Sequence, residues 1–204
     1  MQIGPNARPG QRIGLLGGSF DPPHEGHVHI TRWALRRFRL DQVWWLVSPG
    51  NPLKDRGPAP IETRMAAAEA MFPAPGVPDY RIEITDIEAH LGTRYTAETL
   101  KGVRRLYPSV RFTWLMGADN LATFHLWQDW RWIMESFPVG VLGRPGSMAS
   151  AGLSPAARRY RRHRIPKARA ARLPSMRAPA WTMLTTGRMS DASSTAIRSA
   201  GGWP

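Results

Sequence analysis

Ile13-Gly14-Leu15-Leu16-Gly17-Gly18-Ser19-Phe20-Asp21-Pro22-Pro23-His24-Glu25-Gly26-His27 is the stretch that decides the fold. Its first four residues have the apolar character of a strand, and Gly17-Gly18 predicts a sharp turn at the strand's carboxyl end, through positive φ or close backbone approach to a ligand. Pro22 and Pro23 then hold the chain extended. From Gly26 to Arg37 the spacing of Val28, Ile30, Trp33 and Ala34, with Phe38 beyond, predicts an amphipathic helix. His24 and His27 fall at or just before its first turn. A helix start presents unpaired N–H groups and positive potential, so imidazole donors beside it suit phosphate oxygens, and Gly26 leaves room for a nucleotide. Two plainer readings compete. One is a zinc pair, which wants more ligands than His24, His27 and His29 supply; the other is surface histidines near a turn.

Working outward, strand-like runs recur at Arg12–Leu16, Gln42–Val47, Tyr80–Ile84, Arg111–Met116, Val139–Leu142 and Trp181–Leu184. Helical stretches are expected at Gly26–Arg37, Ile61–Met71, Thr96–Tyr107 and Trp130–Ser136, with shorter pieces near Asn120–Phe124 and Pro155–Arg162. This alternation predicts an α/β fold, a Rossmann-like doubly wound parallel sheet with a small C-terminal helical appendage. The unbroken apolar run Val43-Trp44-Trp45-Leu46-Val47 fits a parallel strand covered on both faces. Ligands of such sheets bind beyond the carboxyl ends of the strands, where the opening stretch lies.

The 204 residues read as one domain, 1–204, with residues 1–11 expected as a flexible N-terminus and 143–204 as a C-terminal portion. No run of about 18 apolar residues and no signal-peptide core is present, so a cytoplasmic protein without a membrane partner is expected. The absence of cysteine excludes disulfides and cysteine-ligated metals. A net charge of +13 raises nucleic acid as a partner, yet much of the excess sits in one acid-free stretch from Arg158 to Arg172. That stretch reads as a solvated helix and loop, as a basic surface drawing polyphosphates inward, or, least, as a nucleic-acid-binding module.

Further chemistry is spread along the chain. Ser193-Ser194-Thr195-Ala196-Ile197-Arg198 places hydroxyls at a helix start, with Arg198 on the same face as Thr195, and supplies a second set of phosphate donors. Arg94-Tyr95-Thr96 opens another helix, with Thr96 as the expected N-cap and Tyr95 equally able to be core. Gly117-Ala118-Asp119-Asn120 follows a strand and sets a carboxylate where ribose or metal-bound water is held in this architecture. Trp127 is an aromatic able to stack on a planar ring, whereas Trp130 and Trp132 fit simple packing as well.

Together these segments resemble the bacterial nicotinate mononucleotide adenylyltransferases, within the nucleotidyltransferase superfamily marked by His-x-Gly-His. The likeness runs from Leu15 to Arg198 and rests on Gly18 to His27, Tyr95-Thr96-Ala97-Glu98-Thr99-Leu100, Gly117 to Leu121, Trp127 and Ser193 to Arg198. It implies transfer of the adenylyl group of ATP to nicotinate mononucleotide, giving deamido-NAD and pyrophosphate without a covalent enzyme intermediate. It also implies His24, His27, Lys54 and Arg198 as catalytic residues, and Gly17, Gly18, Ser19, Phe20, Gly26, Gly117, Asp119, Ser194 and Thr195 as ATP contacts. Asn51, Arg94, Tyr95, Thr96, Trp127 and Arg144 would hold the acceptor. Mg²⁺ would be bound mainly through phosphates and water, assisted by Asp21 or Asp119. Nicotinamide mononucleotide or another phosphorylated acceptor is the alternative substrate.

Overall fold

Six parallel strands form a single sheet in the order β3-β2-β1-β4-β5-β6: β1 Arg12–Gly18, β2 Gln42–Val47, β3 Ile82–Thr85, β4 Arg111–Gly117, β5 Val139–Gly143 and β6 Trp181–Thr185. The computed structural model describes residues 4–50, 57–75, 77–143, 147–186, 194–201 and 203. Helices α1 Glu25–Arg37, α2 Ile61–Glu69, α3 Ile87–His90, α4 Thr96–Leu106, α5 Ala118–Thr123, α6 Trp130–Ser136, α7 Met148–Leu153, α8 Pro155–Arg159 and α9 Ser194–Ser199 complete it, with short 3₁₀ turns between. The strand order reverses between β1 and β4, so the loops that leave their carboxyl ends diverge and open a crevice there.

Successive residues of a strand face opposite sides, which explains the unbroken apolar runs. Leu15, Trp44 and Trp114 align across β1, β2 and β4 and belong to one core layer. Their neighbours Leu16, Trp45 and Leu115 belong to the other. Each large apolar side chain so buried contributes about 2–3 kcal/mol. The tryptophans keep their N–H groups satisfied where a partner is in reach: Trp45 Nε1 donates to Thr31 Oγ1 at 2.8 Å, and Trp181 Nε1 to the Tyr160 carbonyl at 2.8 Å. The helical portion between β5 and β6 packs on both layers, through Ala156 and Tyr160 on one side and Ala170 and Leu173 on the other.

One local expectation needs correction. β1 continues through Gly17 and Gly18, neither of which has positive φ; the left-handed residue is Phe20, at φ 46°. Gly17 is needed for space instead, because a Cβ there would lie 2.6 Å from Trp114 Cη2. Before β1, Tyr107 donates its hydroxyl to the Pro5 carbonyl at 2.8 Å, and the Gly10 N–H reaches the Ser109 carbonyl at 2.7 Å.

Candidate active site

The turn after β1 delivers two imidazoles to the start of α1, and the backbone there sets their protonation. His24 is the N-cap in extended conformation, and its Nδ1 accepts the Gly26 N–H at 3.1 Å. In return His27 Nδ1 accepts the His24 N–H at 3.1 Å. With both Nδ1 atoms accepting, the proton of each neutral ring sits on Nε2. The rings lie 3.9 Å apart between centroids. Burial, reinforced by the neighbouring His24, pushes the His27 pKa down to about 3, so in the free protein its ring is neutral. Behind it Phe20, buried and strained at positive φ, contacts the His27 ring at 4.8 Å and stacks on Trp45 at 4.7 Å. The strain thus serves to hold an aromatic wall against the imidazole.

A cleft of about 1230 Å³ opens over this pair at the β1/β4 crevice. Gly17, Gly18, Ser19, Phe20, Gly26, Gly117 and Asp119 line it, and Ser194 and Thr195 enter from α9. Arg94, Tyr95, Thr96 and Trp127 line it as well. Gly117 is dictated by contact: a Cβ would fall 2.2 Å from Asp119 Oδ1, so any side chain there displaces the carboxylate. Trp127 is half-buried, held edge-on by Phe124 at 5.2 Å and Trp114 at 6.4 Å. Tyr95, not Thr96, is the N-cap of α4, and no side chain caps that helix start. Lys54, Asn51 and Arg144 lie outside the described residues, as does Ser193.

Arg198 is present but engaged. Its Nη1 donates to the Asp21 carbonyl and lies 3.3 Å from Asp21 Oδ2, while Nη2 lies 3.4 Å from Thr195 Oγ1. Asp21 Oδ1 accepts the Trp203 indole N–H at 2.7 Å and the Ala59 N–H at 3.2 Å. Ser194 Oγ donates to the Pro22 carbonyl at 2.9 Å. The two phosphate motifs, some 170 residues apart in sequence, are therefore clasped through Asp21 and Pro22. Asp21 joins the loop before α2 to the C-terminal segment, with both carboxylate oxygens accepting.

Comparisons with known proteins identify the family. The family model described as cytidylyltransferase-like matches residues 15–200. A protein of Ruegeria pomeroyi named probable nicotinate-nucleotide adenylyltransferase is 61% identical over 98% of this chain and 91% of its own length. The chain belongs to the nicotinate-nucleotide adenylyltransferase family. A second family member so named, from Parvibaculum lavamentivorans, is 50% identical over 96% of the chain and 94% of its own length. The solved Plasmodium falciparum nicotinic acid mononucleotide adenylyltransferase, complexed with NaAD, shares the fold at a TM-score of 0.69 and 16% identity, covering 93% of this chain and 83% of its own.

Within this family site, two residues escape the motif reading. Arg64 of α2 is 1% exposed and donates to the carbonyls of Ser19 (2.6 Å), Ser48 (2.7 Å) and Ala59 (2.7 Å), bracing the loops after β1 and β2. Glu88 of α3 is a buried carboxyl lining the cleft. An arginine among Ile61, Met65 and Ala68 is the one signal that could have found the first; nothing in the local pattern singles out the second.

Proposed function

We propose that this protein transfers the adenylyl group of ATP to nicotinate mononucleotide, forming deamido-NAD and pyrophosphate. The observation that carries the reading is the reciprocal capping of His24 and His27, which puts the proton of each neutral ring on Nε2 at a helix start that lines a nucleotide-sized cleft. An oxygen of the acceptor's 5′-phosphate attacks the α-phosphorus of ATP in line. As that bond forms, the bond to the β-phosphate bridging oxygen breaks and pyrophosphate leaves with the electron pair. Both reactants are anionic, so positioning and charge neutralisation supply the catalysis.

His24 and His27 donate to the ATP phosphates, joined by Ser19, Ser194, Thr195 and, in the role its family likeness suggests, Lys54. Arg198 joins by exchanging Asp21 for phosphate oxygens. Asp119, whose place Gly117 secures, faces the nucleotide, and Trp127 offers its ring to the pyridine beside Arg94, Tyr95 and Thr96. Asn51 and Arg144 belong to the same acceptor set. Asp119 and Glu88 are the carboxylates among the described residues lining the cleft, a donor set that fits Mg²⁺ carried in on phosphates and water rather than caged by protein. When bound, the metal neutralises phosphate charge. The test is pyrophosphate release from ATP with a panel of nucleoside monophosphates and both pyridine mononucleotides. Release is expected with the pyridine acceptors, fastest with nicotinate mononucleotide; release with none of them, or equally with all, would remove the assignment.

A further inference from the structure

α3 follows the edge strand β3 directly, so it stands at the carboxyl edge of the sheet, beside the cleft. Its Glu88 is 8% exposed and lines the cleft with Arg94, Tyr95, Thr96, Thr99 and Leu100. The side chain is held in place from the neighbouring helix. Thr99 hydrogen-bonds the Glu88 carboxyl. Thr99 Oγ1 is also 2.8 Å from Thr93 Oγ1, and Thr93 reaches the Glu88 carbonyl at 3.3 Å. No ion pair to Glu88 occurs among the described residues. The charged groups of the surrounding elements are Asp86 at the N-cap of α3 and His90 on it, Glu83 on β3, Arg94 on the loop, and Glu98, Lys101, Arg104 and Arg105 on α4. Asp86 pairs with His90 at 3.1 Å and Lys101 with Asp129 at 3.1 Å, while β2, on which α3 packs, carries no titratable side chain.

We propose that Glu88 is a specificity-determining residue at the acceptor end of the cleft, donating a hydrogen bond to the pyridine carboxylate when protonated and repelling it when ionised. The inference rests on the adenylyl-transfer reading above. An O–H···O⁻ bond is short and strong because its acceptor is charged, whereas two carboxylates in one desolvated site disfavour each other. A carboxamide acceptor behaves differently. It is neutral and offers N–H donors, so ionised Glu88 receives it without repulsion. Burial pushes the Glu88 carboxyl up to about 7, which places the change of state in the working range.

The experiment measures pyrophosphate release with nicotinate mononucleotide and with nicotinamide mononucleotide from about pH 6 to about pH 9, and takes the ratio of the two kcat/KM values. The ratio cancels the titrations of ATP, the acceptor phosphates, His24 and His27, which both reactions share. In the unmodified protein the acid-to-amide ratio is expected to fall about tenfold per pH unit above about pH 7. In Glu88→Gln, whose amide donates at every pH, the ratio is expected to be flat. Glu88→Leu is expected to be flat too, with a ratio at about pH 6 at least about tenfold below that of the unmodified protein. A flat ratio in the unmodified protein, or an unchanged slope in E88Q, overturns the role of Glu88. Turnover of neither acceptor overturns the reaction itself, an outcome distinct from turnover with a flat ratio.

Discussion

His24 and His27 each spend one ring nitrogen on the backbone of the helix start they share, and that fixes what the other nitrogen can do. Loss of either ring removes a preorganised donor, so His24→Ala or His27→Ala is expected to lower kcat by about 10², measured by pyrophosphate release. The burial of His27 has a separate thermodynamic consequence. Its folded pKa of about 3 lies below the ordinary 6.5, so between those values the unfolded chain takes up a proton that the folded chain refuses. His27 therefore costs no stability above about pH 6.5 and an increasing amount as pH falls toward 3. Urea unfolding of His27→Asn across about pH 4 to 6 is expected to show a pH dependence shallower by about one proton than that of the unmodified protein. The pair was legible in the sequence because its chemistry is local, two residues three positions apart at one helix start. Glu88 was not, because its meaning comes from Thr99 and from a cleft wall assembled by separate loops.

At the scale of elements, hydrophobic periodicity located all six strands and the long helices, since burial on one or two faces writes itself into spacing. Where steric and polar detail decided, it fell short. β1 runs two residues beyond its expected end, because glycines in a strand remain extended when a neighbouring ring, here Trp114, occupies the missing side-chain space. α4 starts under Tyr95 with no capping hydroxyl, an arrangement that suits a helix start facing a cleft rather than solvent. α2 carries the least visible feature. Its Arg64 gathers carbonyls from residues 45 and 16 positions earlier, and no local window contains those partners. Lysine has a single nitrogen and cannot span them, so Arg64→Lys is expected to lose about 3 kcal/mol in urea denaturation, and Arg64→Met a similar or larger amount. Because the braced loops border the nucleotide cleft, both variants are also expected to raise the KM for ATP. An unchanged unfolding midpoint in both would show that the carbonyls find other partners.

At the scale of the whole molecule, the acid-free basic segment stands outside the cleft. Arg158, Arg159, Arg161, Arg162, Arg164, Lys167, Arg169 and Arg172 are all exposed, and none lines the cleft. Contacts place its later part, from Arg164 to Arg172, at the amino-terminal ends of the strands, whereas α8, which carries Arg158 and Arg159, packs on α5 beside the cleft. Arg164 sits over the ring of Trp181, the first residue of β6, at 5.2 Å, and Ser175 lies 3.3 Å from Arg111, the first residue of β4. The cleft opens at the other end of those strands, one strand length away, about 20 Å for β4. The Debye length at physiological salt is about 8 Å, so the field of the residues from Arg164 to Arg172 reaches the cleft largely screened. The exposure of the segment favours the solvated basic surface over a funnel for polyphosphates, a choice that charge removal tests. Neutralising it with Arg161→Gln, Arg162→Gln and Lys167→Gln together is expected to leave kcat and the KM for ATP within about twofold at about 0.15 M salt, with a difference emerging only near 0.01 M, where the Debye length grows to about 30 Å. A tenfold rise in KM at physiological salt would mean that these charges reach the cleft by a route the fold does not provide.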